Sequence, residues 1–242
     1  MLRDRLRLRP LPSDRLRLRS SLEHPAYDAV RPWHARLREG TRDELNALAE
    51  EAGVATESGR PVRFIEPSKS DPYYEIHVFE TGRVHTRAEN WHDLFNALVW
   101  LAFPRAKARI NALHAATIPL EGGRRGPLRD LLTIFDEGGA VRTPTRTLVF
   151  GHATMEQALK PWPGIACKVL AVDSDDELDE GIARALGALA PHGSPKSLRT
   201  HPLFRELPGW LPGYTAGQGV GQAAAVPQGA EESPGSTGQD AG

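Results

Sequence analysis

The chain has 242 residues, 40% of them hydrophobic, enough for one substantial core and best read as a single domain once two odd ends are set aside. Its 30 basic and 31 acidic side chains leave a formal net charge of −1, so no nucleic-acid partner is expected, because that needs a concentrated basic surface to displace counterions from phosphates. The longest apolar run, Ala97 to Phe103, is too short for a transmembrane segment, and the lone Cys167 can form neither an internal disulfide nor a zinc site by itself, which suits a cytoplasmic location.

The first twenty residues repeat Asp-Arg-Leu-Arg-Leu-Arg at Asp4 and at Asp14. Residues 1–21 therefore read as a disordered basic leader, a basic arm for nucleic acid or acidic lipid being the other reading. Thr41-Arg42-Asp43-Glu44 is a capping box ahead of Leu45, Leu48 and Ala52, and Gly53 stops that helix. Pro61 to Ile65 reads as a strand. Tyr73 to Phe79 alternates around Tyr74, Ile76 and Val78 and reads as a second strand, turned by Thr81-Gly82.

Asn90 is a good N-cap, and Asp93 places a carboxylate at the positive end of the dipole, so a helix begins at Trp91. Trp91, Leu94, Phe95, Leu98, Val99, Leu101 and Ala102 form its core stripe, while His92, Asp93, Asn96 and Trp100 gather on the other face. Pro104 disfavours helical geometry at Phe103 and fits the first position of a new helix, in which Ala106, Ile110 and Leu113 face the core beside a row of Lys107, Asn111 and His114. Two polar rows are thus expected to converge near one bend.

Downstream, Gly122-Gly123-Arg124-Arg125-Gly126-Pro127 is a basic glycine-rich loop feeding a helix. With Arg129 it could cradle a phosphate, although its spacing matches neither a P-loop nor a dinucleotide fingerprint. Thr147 to Phe150 reads as a strand, Gly151-His152 as its exit, and Thr154 to Leu159 as helix; a histidine at such a junction either serves a cleft or fixes the turn. Ile165 to Val172 reads as an interior strand carrying Cys167 as an inert thiol and Lys168 as the exception. Ser174-Asp175-Asp176-Glu177 reads as a capping box, with Leu178, Ile182, Leu186 and Leu189 the buried row that follows. Leu203 to Leu211 is expected to dock irregularly on the body, and 214–242 reads as a disordered tail.

The run Tyr74-Glu75, Glu80-Thr81-Gly82, Thr86-Arg87, Asn90-Trp91-His92-Asp93, Phe95-Asn96-Ala97-Leu98, Trp100, Phe103-Pro104-Arg105 and Lys107 resembles the bacterial family catalogued as domain of unknown function 3025. Arg129, Thr133, Phe135-Asp136-Glu137, Phe150-Gly151-His152-Ala153, Pro163-Gly164, Lys168 and Pro208-Gly209-Trp210 look like later blocks of it, so the resemblance runs from about Trp33 to Gly213. It implies no activity. It does imply a longer insert between Glu137 and Phe150 in relatives, so this chain looks shortened there.

The expected architecture is α+β: a small mixed sheet packed against several helices, in a single domain over 22–213 with disordered ends. The sharpest site reading takes His92, Asp93 and His152 as catalytic, with Arg87, Asn96, Trp100, Arg105, Lys107, Arg129 and Lys168 as ligand-binding residues. His92, Asp136 and His152 are the candidates for a divalent metal, with Glu137 or His114 as additions, because imidazole and carboxylate are suitable ligand types. The His-x-x-x-His spacing of a zinc hydrolase is missing. Arg87 reads either as an anion clamp or as a salt-bridge partner, and the His/Asp/Asn set equally as a structural hydrogen-bond network. Two function classes follow: an enzyme handling a small anionic substrate, or a non-catalytic domain that binds a protein partner. Trp91, Trp100, Trp162 and Trp210 are expected as core anchors.

Overall fold

The computed structural model describes residues 22–68, 73–190 and 192–211. The expected leader and tail lie outside the described residues. One hydrophobic cluster runs from Leu22 to Trp210, so the described chain forms a single domain of helices around a small sheet.

After a short helix α1 (Arg31–His34), the capping box at Thr41 opens α2 (Arg42–Glu51), with the Thr41 and Glu44 side chains each taking the other's backbone N–H. Strand β1 (Arg63–Ile65) follows, then α3 (Tyr74–Thr81) and β2 (Arg83–His85). The expected strand over 73–79 is therefore a helix. Its apolar residues fit both periods: Tyr74 and Val78 stand one turn apart as readily as they alternate. Tertiary structure decides, because β1 and β2 pair in parallel and a parallel pair needs a crossover between its strands. Gly82 ends α3 in the left-handed region at φ 73°. A Cβ there would lie 2.2 Å from the Pro61 carbonyl oxygen, so only glycine fits.

Helix α4 (Trp91–Ala102) is capped as expected, the Asp93 N–H donating to Asn90 Oδ1 at 3.0 Å. Asn90→Ala is expected to cost about 1 kcal/mol in denaturant unfolding; an unchanged midpoint would mean that packing alone holds this end. Phe103 leaves helical geometry and Pro104 starts α5 (Pro104–Thr117). Residues 127–138 form α6 (Pro127–Gly138), which passes without a turn into β3 (Gly139–Arg142), a strand that the sequence reading missed. A Cβ on Gly139 would lie 2.4 Å from the Phe135 carbonyl oxygen. β3 folds back on β4 (Thr147–Val149), so the segment expected to be short is a tight hairpin.

Next come α7 (His152–Gln157), β5 (Ala166–Ala171), α8 (Leu178–Leu189), β6 (Arg199–Pro202) and α9 (Leu203–Glu206). The sheet order is β4-β3-β5-β6, with β3 and β5 parallel and the outer pairs antiparallel. β5 is thus interior, as its sequence predicts. Cys167 is buried there, its thiol pushed up to about 12 by burial, and is inert.

Two local expectations fail. Ser174 to Glu177 form no capping box: Asp176 N–H donates to Ser174 Oγ, Asp175 turns toward Arg146, and α8 starts from Glu177 in the left-handed region. The carboxylate that does cap is Asp179, which accepts the N–H groups of Arg105 and Ala106 at the start of α5. Trp162 is 56% exposed rather than a core anchor, whereas Trp100 and Trp210 are buried and the half-buried Trp91 packs against the core.

Candidate functional site

The two polar rows do converge. His92, Asp93, Asn96 and Trp100 from α4 and Lys107, Asn111 and His114 from α5 line one cleft of about 530 Å³. Tyr74 and Glu75 of α3, Arg87, Arg125, Asp136 and Glu137, and His152 at the start of α7 complete its wall. The bend at Phe103-Pro104 makes this possible, since it lets residues on two successive helices face one space.

A chain of polar side chains crosses these elements. Lys107 Nζ donates to Asn96 Oδ1 at 2.8 Å and to Asp136 Oδ1 at 2.5 Å, and lies 5.6 Å over the Trp100 ring. The second Asp136 oxygen faces His152 Nδ1 at 3.8 Å. His152 Nε2 lies 3.0 Å from His92 Nε2, and His92 Nδ1 lies 3.2 Å from Glu156 Oε2. Burial opposes charge on Asp136, but Lys107 and His152 more than offset it and hold the carboxyl below its usual range. Burial also drives His152 down to about 4, helped by Lys107 and His92 against Asp136. His152 is therefore neutral at neutral pH.

Two imidazole nitrogens at 3.0 Å form a hydrogen bond only when one of them carries the proton. With the His92 proton on Nδ1, toward Glu156, His152 Nε2 donates and His152 Nδ1 is bare, which matches that atom's lack of a hydrogen-bond partner. A further proton on His92 reverses the bond and moves the His152 proton to Nδ1, toward Asp136. The pair can take up and relay one proton between a carboxylate at each end.

The remaining predicted site residues divide. Asp93 is not free for chemistry: Oδ2 accepts the Arg87 N–H at 2.7 Å and Nε at 2.8 Å, and Oδ1 accepts Nη2 at 2.9 Å. Burial would raise its carboxyl, yet the Arg87 hydrogen bonds hold it low. Arg87 is thus the salt-bridge partner and still 56% exposed at the cleft. Arg105 pairs with Glu180 and lines a separate cavity of about 380 Å³. Lys168 donates to the carbonyls of Pro195 and Leu198, away from the cleft.

Arg129 is buried and paired with Glu121 at 2.9 Å. The same carboxylate accepts the Gly126 N–H at 2.8 Å, so Glu121 occupies the place proposed for a phosphate at the start of α6. As for a metal, His92 and Asp136 approach opposite nitrogens of His152 and do not converge on one point. Among the described residues no group of three histidine, cysteine or acidic side chains is arranged to hold an ion.

The sequence reading missed Tyr74, Glu75 and Glu156 as site residues. The first two were assigned to a strand; reading 74–81 as a helix would have set them at its first turn, over the polar row of α5. Glu156 follows His152 by one helical turn and could have been found by that spacing.

Residues 62–144 match a family model described as a protein of unknown function, DUF3025. Of the residues lining the cleft, all but His152 lie in that stretch; the later blocks of the resemblance lie beyond it. Comparison with curated proteins and with solved structures gives no match.

Proposed function

For a chain assigned by residues 62–144 to a family without a known activity, we propose a cytosolic acid–base enzyme acting on a small molecule that bears a carboxylate or phosphate. The observation that carries this reading is the 3.0 Å contact between His92 and His152 inside a cleft, with a carboxylate at each outer nitrogen. Such an arrangement fixes both rings and lets one proton enter or leave. Half-buried His92 is the end of the relay that a bound molecule can reach.

The lining favours a small polar molecule over a long anion. Arg87, Lys107 and Arg125 are balanced by Asp93, Asp136 and Glu137, and Glu75 is raised above its usual range by burial, which Lys107 and Arg129 only partly offset. No strong positive field fills the cleft. Arg87 and Arg125, both partly exposed, are the groups that would hold the substrate anion.

A thermal-shift screen tests the proposal, using inorganic phosphate, small mono- and dicarboxylates, nucleotides and divalent metals against the parent and His92→Ala. A ligand at about a hundred times its dissociation constant adds about 2.7 kcal/mol of stability. One ligand class should raise the melting temperature of the parent and lose most of that effect in a folded His92→Ala. If no ligand shifts the parent and His92→Ala is only destabilised, the histidine is structural and the protein-binding reading takes its place.

A further inference from the structure

Glu75 has a position that the proton relay does not use. Its Oε2 accepts from Asn111 Nδ2 at 2.8 Å, and the same amide donates to the Glu75 carbonyl oxygen at 2.9 Å. Asn111 is 3% exposed, so a buried amide fixes both the backbone and the carboxyl of Glu75. No other hydrogen bond engages that carboxyl among the described residues, and the residue lines the cleft. Tyr74, its neighbour, lines the same cleft. Burial, with Asp136 adding to it, raises both groups above their usual ranges, and Glu75 adds to the effect on Tyr74. Burial therefore favours the protonated form of each, a phenol and a carboxylic acid, beside a proton-accepting imidazole pair.

Donors of this kind stabilise charge that develops on an oxygen, because they are already oriented and need no solvent reorganisation. A carboxylic acid kept neutral by an apolar, buried site is a known means to that end. We infer that Tyr74 and Glu75 hydrogen-bond the carbonyl oxygen of a substrate whose neighbouring carbon gives up a proton to the His92–His152 pair. In that step the C–H bond breaks and its proton goes to an imidazole nitrogen. The electron pair forms a C=C bond, and the carbonyl π pair moves to oxygen as an enolate held by the two O–H groups. The substrate class is then a carbonyl compound with an acidic neighbouring C–H and an anionic group for Arg87 and Arg125. This inference rests on the acid–base reading above.

Para-nitrophenol is the probe, since its phenolate resembles an enolate in charge and shape and its ionised form absorbs visible light. Titrated into the full chain, it should bind as the phenolate, with affinity falling about 10- to 100-fold in Glu75→Leu or Tyr74→Phe. Glu75→Gln, which keeps a neutral donor and should fold if the leucine variant does not, should lose less. His92→Gln should weaken binding less than either of those variants, because the imidazole pair takes the proton and does not hold the oxygen. Failure of the parent to bind, binding only as the neutral phenol, or equal affinity in the Glu75 and Tyr74 variants overturns the inference. Loss confined to His92→Gln does so too, while leaving the acid–base reading in place. Phenolate binding with no ligand response at His92 would overturn the acid–base reading and this inference with it.

Discussion

Lys107→Met should destabilise the protein by about 3–5 kcal/mol at neutral pH, a large share of a typical domain's stability. The Lys107 side chain is 5% exposed and that of Asp136 19% exposed. Removing the ammonium leaves a carboxylate that has lost its strongest partner in a place with little water. Lys107 also bridges α4 to α6 through Asn96 and Asp136, so both acceptors are orphaned together.

The linkage with pH provides a check on cause. In the parent, the depressed Asp136 contributes stability that is present above the ordinary carboxylate pKa and is lost as pH falls through its folded value. In Lys107→Met the ammonium charge is gone and burial dominates, so the carboxyl protonates more readily than in the unfolded chain. The gap between the two proteins should therefore be widest at neutral pH and narrow toward pH 4. Lys107→Met combined with Asp136→Leu should recover most of the loss, since no buried charge remains. Urea unfolding at several pH values measures all of this. A loss under about 1 kcal/mol for the single variant would show that water reaches Asp136 freely.

Mild acid should destabilise the protein through two buried histidines. Burial lowers His114 from 6.5 to about 4, with Arg129, Arg125 and Lys107 reinforcing it against Asp136; His152 is lowered to about 4 as well. Between pH 6.5 and about 4 the unfolded chain binds protons that the folded protein refuses, so stability falls as pH falls in that window. A depression of this size corresponds to about 3 kcal/mol for each histidine. Glu75 opposes part of the trend. Its carboxyl is raised, so its contribution is present at low pH and is lost as pH rises above the ordinary glutamate value.

Variants separate these contributions. His114→Gln and His152→Gln should each flatten the acid slope by about 3 kcal/mol between pH 7 and pH 4, whereas Glu75→Gln should steepen it. Slopes identical to the parent's in both histidine variants would mean that these rings already take up protons near the ordinary histidine pKa. The Arg129 contact makes the point physically: its Nε lies 3.4 Å from His114 Nδ1, so a proton on that nitrogen would face a guanidinium.

What could be read from the chain follows the range of the signals. Thr41, Asn90, Pro104 and Pro127 act within one helical turn, and each starts its helix where the sequence places it. The stripe of α4 and the polar rows of α4 and α5 are likewise local, because residues three and four apart share a face wherever the helix sits. That was enough to put His92, Asn96, Trp100, Lys107, Asn111 and His114 beside one another before any fold was known.

Tertiary structure decided the rest. Tyr74–Thr81 suits both periods, and the parallel pairing of β1 with β2 made it a helix, carrying Tyr74 and Glu75 into the cleft. Arg129, Arg105 and Lys168 each carry a charge free to seek any acceptor, and only the packed chain assigned them Glu121, Glu180 and two backbone carbonyls. His92 and His152 are 60 residues apart in sequence. No local propensity links them; they meet because α7 packs against α4, and burial then makes one of them neutral and pairs it with the other. The sequence by itself determined the helices that carry their own caps or prolines, and the faces they offer, since those depend on neighbours along the chain. Which faces meet, and hence which protons can move, depends on contacts that only the packed domain makes.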